Sequence, residues 1–361
     1  MFKKKIGFIF RNGRKSRTEL QKKFPSEFFY GYLELKKKKY NVSIVEDSDI
    51  QLSPPLSFIP RYLNKLSRLI SNVPIGMVIP LFKKKNKIIL NSYDYIVATS
   101  NGIGIALCLG KALGLLKSKI IFLTMGILNL KSNFFDLLIY KFILKYSRIV
   151  SLGLNEQVFV NKKLNLNVYY LPFGVDKDFW TTQKVHHHNE RYVFSIGNDL
   201  NRDWKTLMDS WDTNFPLLKI VTNHKISSKK KNIEIIDGDW RTLRISDEAI
   251  KKLYQNAMFV VLPLKNTIQP AGQSACLQAM SCEKLVVMSN IEGIWDKNKL
   301  IDNKNIIFVD PENSKKLNSK LCYIIKNHKL IKSVGLNARK LVKEHYNTDI
   351  MAQELYKIIK Q

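Results

Sequence analysis

Twelve short apolar runs, separated by helical patterns and falling into two successive series, constrain this 361-residue chain more than any other feature. The first series lies at 5–10, 41–45, 94–99, 119–123, 148–152 and 168–171, with helical patterns near 26–38, 104–116, 133–145 and 156–161. The second lies at 192–196, 218–222, 233–236, 259–264, 285–288 and 305–309. Runs this short and this continuously apolar suit parallel strands buried on both faces, with amphipathic helices as crossovers. The expected fold class is therefore α/β, with two Rossmann-like domains facing across a cleft; the length suits two domains. A low-apolar stretch, 177–190, reads as the link between them, and its His186-His187-His188 reads as surface linker rather than metal site. Ligands of such sheets sit at the carboxyl ends of the strands, where the connections reverse direction.

Two of those ends carry glycine loops with chemistry. Gln269-Pro270-Ala271-Gly272-Gln273-Ser274 follows the 259–264 run and opens a helix of about ten residues that ends before the 285–288 run. The first N–H groups of a helix have no intrahelical acceptor and its dipole favours anions, so backbone N–H groups of Gly272, Gln273 and Ser274 are candidate phosphate or sugar contacts. Gly197, at the end of the 192–196 run, permits close backbone approach, and Arg202 and Lys205 follow on the next helical turn, where either cation could meet a diphosphate. In the first half, Gly13 permits a tight turn within Arg11-Asn12-Gly13-Arg14-Lys15-Ser16-Arg17, whose four cations favour an anionic group.

Leu277-Gln278-Ala279-Met280 followed by Glu283-Lys284-Leu285-Val286-Val287 resembles the Leu-Glu-Ala-Met and strand pattern of retaining glycosyltransferases of the GT-B fold, family 4 type (glycosyl transferases group 1). Pro172-Phe173-Gly174-Val175-Asp176 is similar to that family's interdomain turn, and the helical patterns 330–344 and 348–359 to its C-terminal helices. The resemblance implies an acceptor-binding domain over 1–173, a nucleotide-sugar domain over 174–345, and a final helix, 346–361, returning to the first domain. It assigns donor phosphate binding and catalysis to Arg202 with Lys205, and substrate binding to Gly13, Gly197, Gly272, Gln273, Ser274 and Gln278. Gln278 stands where the family has a ribose-binding Glu, and Pro270 where it has a sugar-binding Glu; Gln269 or Gln273 could supply the missing polar contacts. Thr124-Met125-Gly126 occupies the place of a His found in many relatives, and every His here lies at 186 or later. The implied reaction needs no cofactor and no metal, the donor's own phosphate assisting the acceptor hydroxyl. The implied partners are a nucleoside-diphosphate sugar of UDP or GDP type and a glycan or lipid-linked acceptor, in cell-surface polysaccharide synthesis. A related protein that binds nucleotide sugar or glycan without turnover is the alternative, since two motif carboxylates are replaced.

Net charge is +29, of which residues 1–172 carry +20. An AT-rich genome would raise lysine throughout; the unevenness leaves attraction to an anionic surface or substrate open. Nucleic acid is excluded as a partner, because aromatics are not interleaved with the cations and no base-reading motif occurs. The 58–70 stretch places Tyr62, Leu63, Leu66, Leu69 and Ile70 on one helical face, with Lys83-Lys84-Lys85 following, which fits either a helix on an anionic membrane or a core-packed surface helix. Asp47-Ser48-Asp49 and Asp176-Lys177-Asp178 are read as structural acids, and Glu292 as a cleft acid or an ordinary loop residue. The apolar stretch at 6–10 is too short for a secretory signal, and no apolar run approaches the roughly 18 to 20 residues that span a bilayer. With four cysteines and no Cys-x-x-Cys pair, the expected location is cytoplasmic, with peripheral attachment at the inner face of the membrane as the finer alternative.

Overall fold

The computed structural model describes residues 4–19, 24–50, 75–128, 132–182, 192–238 and 244–361. It divides into two compact units, one of Met1–Lys22, Phe28–Pro172 and Met351–Gln361, the other of Lys23–Glu27 and Phe173–Ile350.

The first unit is built on strands β1 (Ile6–Phe10), β2 (Val42–Glu46), β3 (Tyr95–Ala98), β4 (Lys119–Thr124), β5 (Arg148–Ser151) and β6 (Val168–Tyr170). They form one sheet, ordered β2-β1-β3-β4-β5-β6, with every pairing parallel. All residues of β1 and β3 are buried, as expected of strands covered on both faces. The connection reverses between β1 and β3, so the loops after these two strands flank the unit's switch point.

Local chemistry sets the helices. The Phe134–Leu144 helix starts in a capping box, Asn133 accepting from the Asp136 N–H and Asp136 from the Asn133 N–H. The expected single helix over 26–38 is instead a 3-10 turn, Glu27–Phe29, and a helix, Tyr32–Lys37. Tyr30 and Gly31 between them have φ of 50° and 84°, left-handed values that no continuous α-helix holds. The helix expected over 104–116 runs Asn101–Ala112. The 11–17 loop folds into a five-residue helix, Arg14–Thr18, opened by Gly13 at φ 94°. Its Arg14 and Lys15 N–H groups donate to Glu46 Oε1, and Lys15 Nζ lies 2.5 Å from Asp49. The 58–70 pattern and the three consecutive histidines lie outside the described residues.

The second unit repeats the plan with β7 (Tyr192–Ile196), β8 (Leu217–Thr222), β9 (Ile233–Asp237), β10 (Val260–Leu262), β11 (Val286–Ser289) and β12 (Ile307–Val309). Their order is β12-β11-β10-β7-β8-β9, again all parallel. Here the reversal falls between β7 and β10. The loops leaving these two strands are joined by backbone hydrogen bonds, Asp203 N to Pro263 O at 3.1 Å and Lys265 N to Asn201 O at 2.9 Å. The last helix, Thr348–Lys360, belongs to the first unit from Met351 onward. There Arg148 Nη1 donates to the carbonyls of Ile358 and Ile359, both at 2.9 Å, and the rings of Tyr40 and Tyr356 stand 4.3 Å apart.

Candidate functional site

The switch point of the second unit brings Gly197 and Arg202, five residues apart, against Gly272, seventy residues further along the chain. Arg202 is anchored through its backbone, which bridges to Leu264 on the far loop, and its side chain is only 3% exposed. The guanidinium lies against the Cα of Gly197, where a Cβ would overlap Nε, and Nη1 would lie 3.4 Å from a Cβ on Gly272. Nε stands 2.9 Å from Asp199 Oδ2 as an ion pair, with the N–H not directed along that line, and both Nε and Nη1 are buried without a hydrogen-bond partner among the described residues. A buried guanidinium N–H left unsatisfied costs free energy unless an acceptor arrives.

The neighbouring helix, Gln273–Ser281, starts at Gly272 with φ 73° and has no side-chain cap. Its first turn, with Gln273 buried and Ser274 half-buried, therefore presents backbone donors and the positive end of the dipole beside Arg202. The loop before it is fixed from behind: Gly293 N donates to Thr267 O at 2.7 Å, and a Cβ at Gly293 would strike the backbone of Gln269.

Lys205 is not part of this group. It sits on the Trp204–Ser210 helix with its side chain 84% exposed and its ammonium 2.5 Å from Asp209. Gln278 turns inward. Its Nε2 donates to Glu27 Oε1 at 2.9 Å and its Oε1 accepts from Tyr254 at 3.3 Å. Glu27, which sequence reasoning missed, is fully buried and also accepts from Trp180 Nε1 at 2.8 Å and Asp176 N at 3.2 Å. Burial pushes its carboxyl up to about 7, against the hydrogen bonds from Gln278, Trp180 and Asp176 that pull it down. No local signal marks Glu27, because its partners lie about 150 and 250 residues away.

The other candidates have ordinary partners. Glu292 pairs with Asn266 at 2.9 Å, and the Asp176 carboxylate accepts the N–H groups of Ser26, Asp178 and Phe179. Among the described residues no three His, Cys, Asp or Glu side chains converge as a metal site. In the first unit, Gly13 stands at the carboxyl end of β1 with open space where a Cβ would project. Met125, within the Thr124-Met125-Gly126 segment, is held by Asn101 through both its N–H and its carbonyl. A buried Glu156 accepts from Gly126 N at 2.7 Å and Ser151 Oγ at 2.8 Å.

Residues 223–341 match the family described as glycosyl transferases group 1. Solved structures match over the whole chain. A glycosyltransferase from Rickettsia africae superposes with a TM-score of 0.67 at 14% identity, covering 100% of this chain and 98% of that one. Sucrose-phosphate synthase from Thermosynechococcus elongatus reaches 0.74 at 14% identity, covering 99% and 98%. HepE of Anabaena, solved in complex with UDP-glucose, reaches 0.71 at 12% identity, covering 99% of each. The chain has the GT-B glycosyltransferase fold. No curated protein matches it by sequence. Within the GT-B frame, the matched segment begins just after β8 and contains β9 through β12, the uncapped helix and Gln278, whereas Gly197 and Arg202 precede it.

Proposed function

We propose that this protein is a glycosyltransferase that moves a sugar from a nucleoside-diphosphate sugar, of UDP or GDP type, to a glycan or lipid-linked acceptor. One observation carries the reading: the buried Arg202 guanidinium, with Nη1 unpartnered, lies between Gly197 and Gly272 beside an uncapped helix start. That arrangement suits a diphosphate, which is planar-guanidinium compatible, doubly charged and small enough to approach glycine backbone. HepE, whose fold the chain shares, was solved with UDP-glucose, which favours the same ligand class here.

The chemistry follows from the charge. The bond between the anomeric carbon and the diphosphate oxygen breaks, and negative charge grows on the leaving diphosphate. Arg202 and the helix N–H groups of Gln273 and Ser274 neutralise that charge in place, without reorganisation. The acceptor hydroxyl forms its bond to the same carbon and passes its proton to a donor phosphate oxygen, with retention of configuration and with no metal in the step. Gly13, at the switch point of the first unit, belongs to acceptor binding in this reading, within the acceptor domain 1–173; the donor domain spans 174–345. Lys205 contributes only long-range charge, its ammonium being paired with Asp209. The excess of +20 over residues 1–172 supports an anionic, lipid-linked acceptor and a peripheral place at the inner membrane face, in the synthesis of cell-surface polysaccharide. No helix among the described residues is long and apolar enough to cross a membrane.

A second reading, binding of nucleotide sugar without turnover, is favoured by Gln278, which gives its amide to Glu27 rather than presenting a carboxylate. Incubation with UDP-, GDP- and ADP-sugars, with and without a membrane lipid extract, separates the two. Release of nucleoside diphosphate is expected with one of them. Binding without release under every condition would establish the second reading instead. Arg202→Ala is expected to weaken UDP or GDP binding about ten- to a hundredfold, the loss of one or two charge-assisted hydrogen bonds. Unchanged affinity in titration calorimetry would refute the role given to Arg202.

A further inference from the structure

A surface helix normally buries one stripe and shows a polar face to water. The Phe134–Leu144 helix departs from this rule. It buries Asp136, Tyr140, Ile143 and Leu144 against the first unit, yet its outward side is also apolar. Phe134 is 68% exposed, Phe135 54%, Phe142 50%, and Leu138 and Tyr146 are exposed with them. At roughly 100° per residue these five fall within a stripe about 120° wide. Lys141 and Lys145, both exposed, stand along one edge of it. The helix's single acid, Asp136, is buried in the capping box. Beside the stripe a groove of about 290 Å³, lined by Leu109, Leu138, Ile139, Phe142 and Ile143, extends the apolar surface toward the Asn101–Ala112 helix.

Four aromatic rings in contact with water are an unfavourable arrangement unless something covers them. The surroundings say what kind of surface that is. Aromatic and aliphatic tips flanked by lysine, with no exposed acid on the element, on a half-chain with a net charge of +20, complement an apolar layer bounded by negative charge. We propose that the outward face of the 134–144 helix, with Phe134, Phe135, Leu138, Phe142 and Tyr146 as the inserting residues and Lys141 and Lys145 as headgroup contacts, docks the chain on an anionic lipid bilayer. This deepens the membrane-side reading above and rests on it, but names a face that the 58–70 pattern does not include. The helix lies parallel to the membrane plane, its buried side still packed against the Asn101–Ala112 and Leu154–Leu164 helices and its rings entering the headgroup boundary.

The test is co-sedimentation of the full chain with vesicles of phosphatidylcholine alone and of phosphatidylcholine mixed with phosphatidylglycerol. The unaltered chain is expected to pellet with the mixed vesicles and to stay in solution with the neutral ones. Phe135→Ser with Phe142→Ser, and separately Lys141→Glu with Lys145→Glu, are each expected to lower the partition coefficient at least about tenfold. All four substituted side chains being exposed, the melting temperature and nucleotide affinity of both variants are expected to match the parent. Parent-like partitioning of both variants would overturn the assignment to this face while leaving membrane attachment standing. Absence of any vesicle binding by the unaltered chain would overturn both. A dimer that the serine variant converts to monomer, seen by light scattering without vesicle binding, would show the face to be a self-association surface and so overturn the proposal too. Failure of the unaltered chain to bind either UDP or GDP would instead defeat the glycosyltransferase reading, with the vesicle result unaffected.

Discussion

Arg202 is held by geometry rather than by a full complement of acceptors. Gly197 is the residue that makes room for it, so Gly197→Ala is expected to push the guanidinium out of place, lower UDP affinity about tenfold and destabilise the unit by about 1–3 kcal/mol; calorimetry with UDP and urea unfolding check the two effects. Glu27 offers a second residue-scale test through pH. Its carboxyl is raised by burial from 4.5 to about 7, so between these values the unfolded chain is ionised while the folded chain keeps its proton. Stability from this group is therefore greatest below about pH 4.5, falls by about 3 kcal/mol as pH rises to 7, and is flat above. The buried Glu156, also raised to about 7, adds a slope of the same sign. Glu27→Gln is expected to remove roughly half of the combined decline between pH 5 and 7 in urea-unfolding free energies. A slope identical to the parent's would show that Glu27 is not the titrating group. The sequence could nominate Gly197, Arg202 and Gly272, since each follows a strand end, and Gln278 through the resemblance of Leu277-Gln278-Ala279-Met280 to a family pattern. It could not show that Gln278 faces Glu27, because that pairing joins residues 251 apart in sequence.

Elements were legible wherever the local pattern was strong. All twelve strands fall on the apolar runs, shifted by at most two residues at either end, because a strand buried on both faces needs a continuous apolar run and little else does. Boundaries of helices moved more, as at 26–38, where Tyr30 and Gly31 adopt left-handed angles that no hydrophobic period reports. The Asn101–Ala112 helix carries a packing constraint of the same non-local kind. Gly104 faces the ring of Phe122 on β4, where a Cβ would overlap it. Gly104→Ala is expected to cost about 1–3 kcal/mol despite raising helix propensity. Equilibrium unfolding in urea measures it, and a more stable variant would show that the sheet yields at this point.

At the scale of the whole molecule, two parallel sheets each reverse direction once, and the glycine loops stand at the reversals. The final helix matters to the first unit, since Met351 to Gln361 count among its residues and Arg148 closes the helix end through the Ile358 and Ile359 carbonyls. Deleting 351–361 removes the buried Met351, Ala352, Leu355 and Ile359 and uncovers what the segment packs on, such as the backbone at Gly31 beside Ala352 and the ring of Tyr40 beside Tyr356. The truncated chain is expected to show a lower-temperature unfolding transition assigned by limited proteolysis to the first unit, with the second unit's transition unchanged. Proteolysis beginning in the second unit would contradict this assignment.

By itself the sequence determined the α/β alternation, the doubling of the sheet, and the two glycine loops, after β7 and β10, proposed as the donor site. These follow from period and from Gly, both local properties of a few consecutive residues. Tertiary structure alone decided the strand order, the outward course of Lys205 to Asp209, the burial of Glu27 beneath Gln278, and the apolar stripe left uncovered on the 134–144 helix. Each of these depends on which distant side chain occupies the space next to a residue, and the packing of remote segments, not the pattern of neighbours along the chain, sets that.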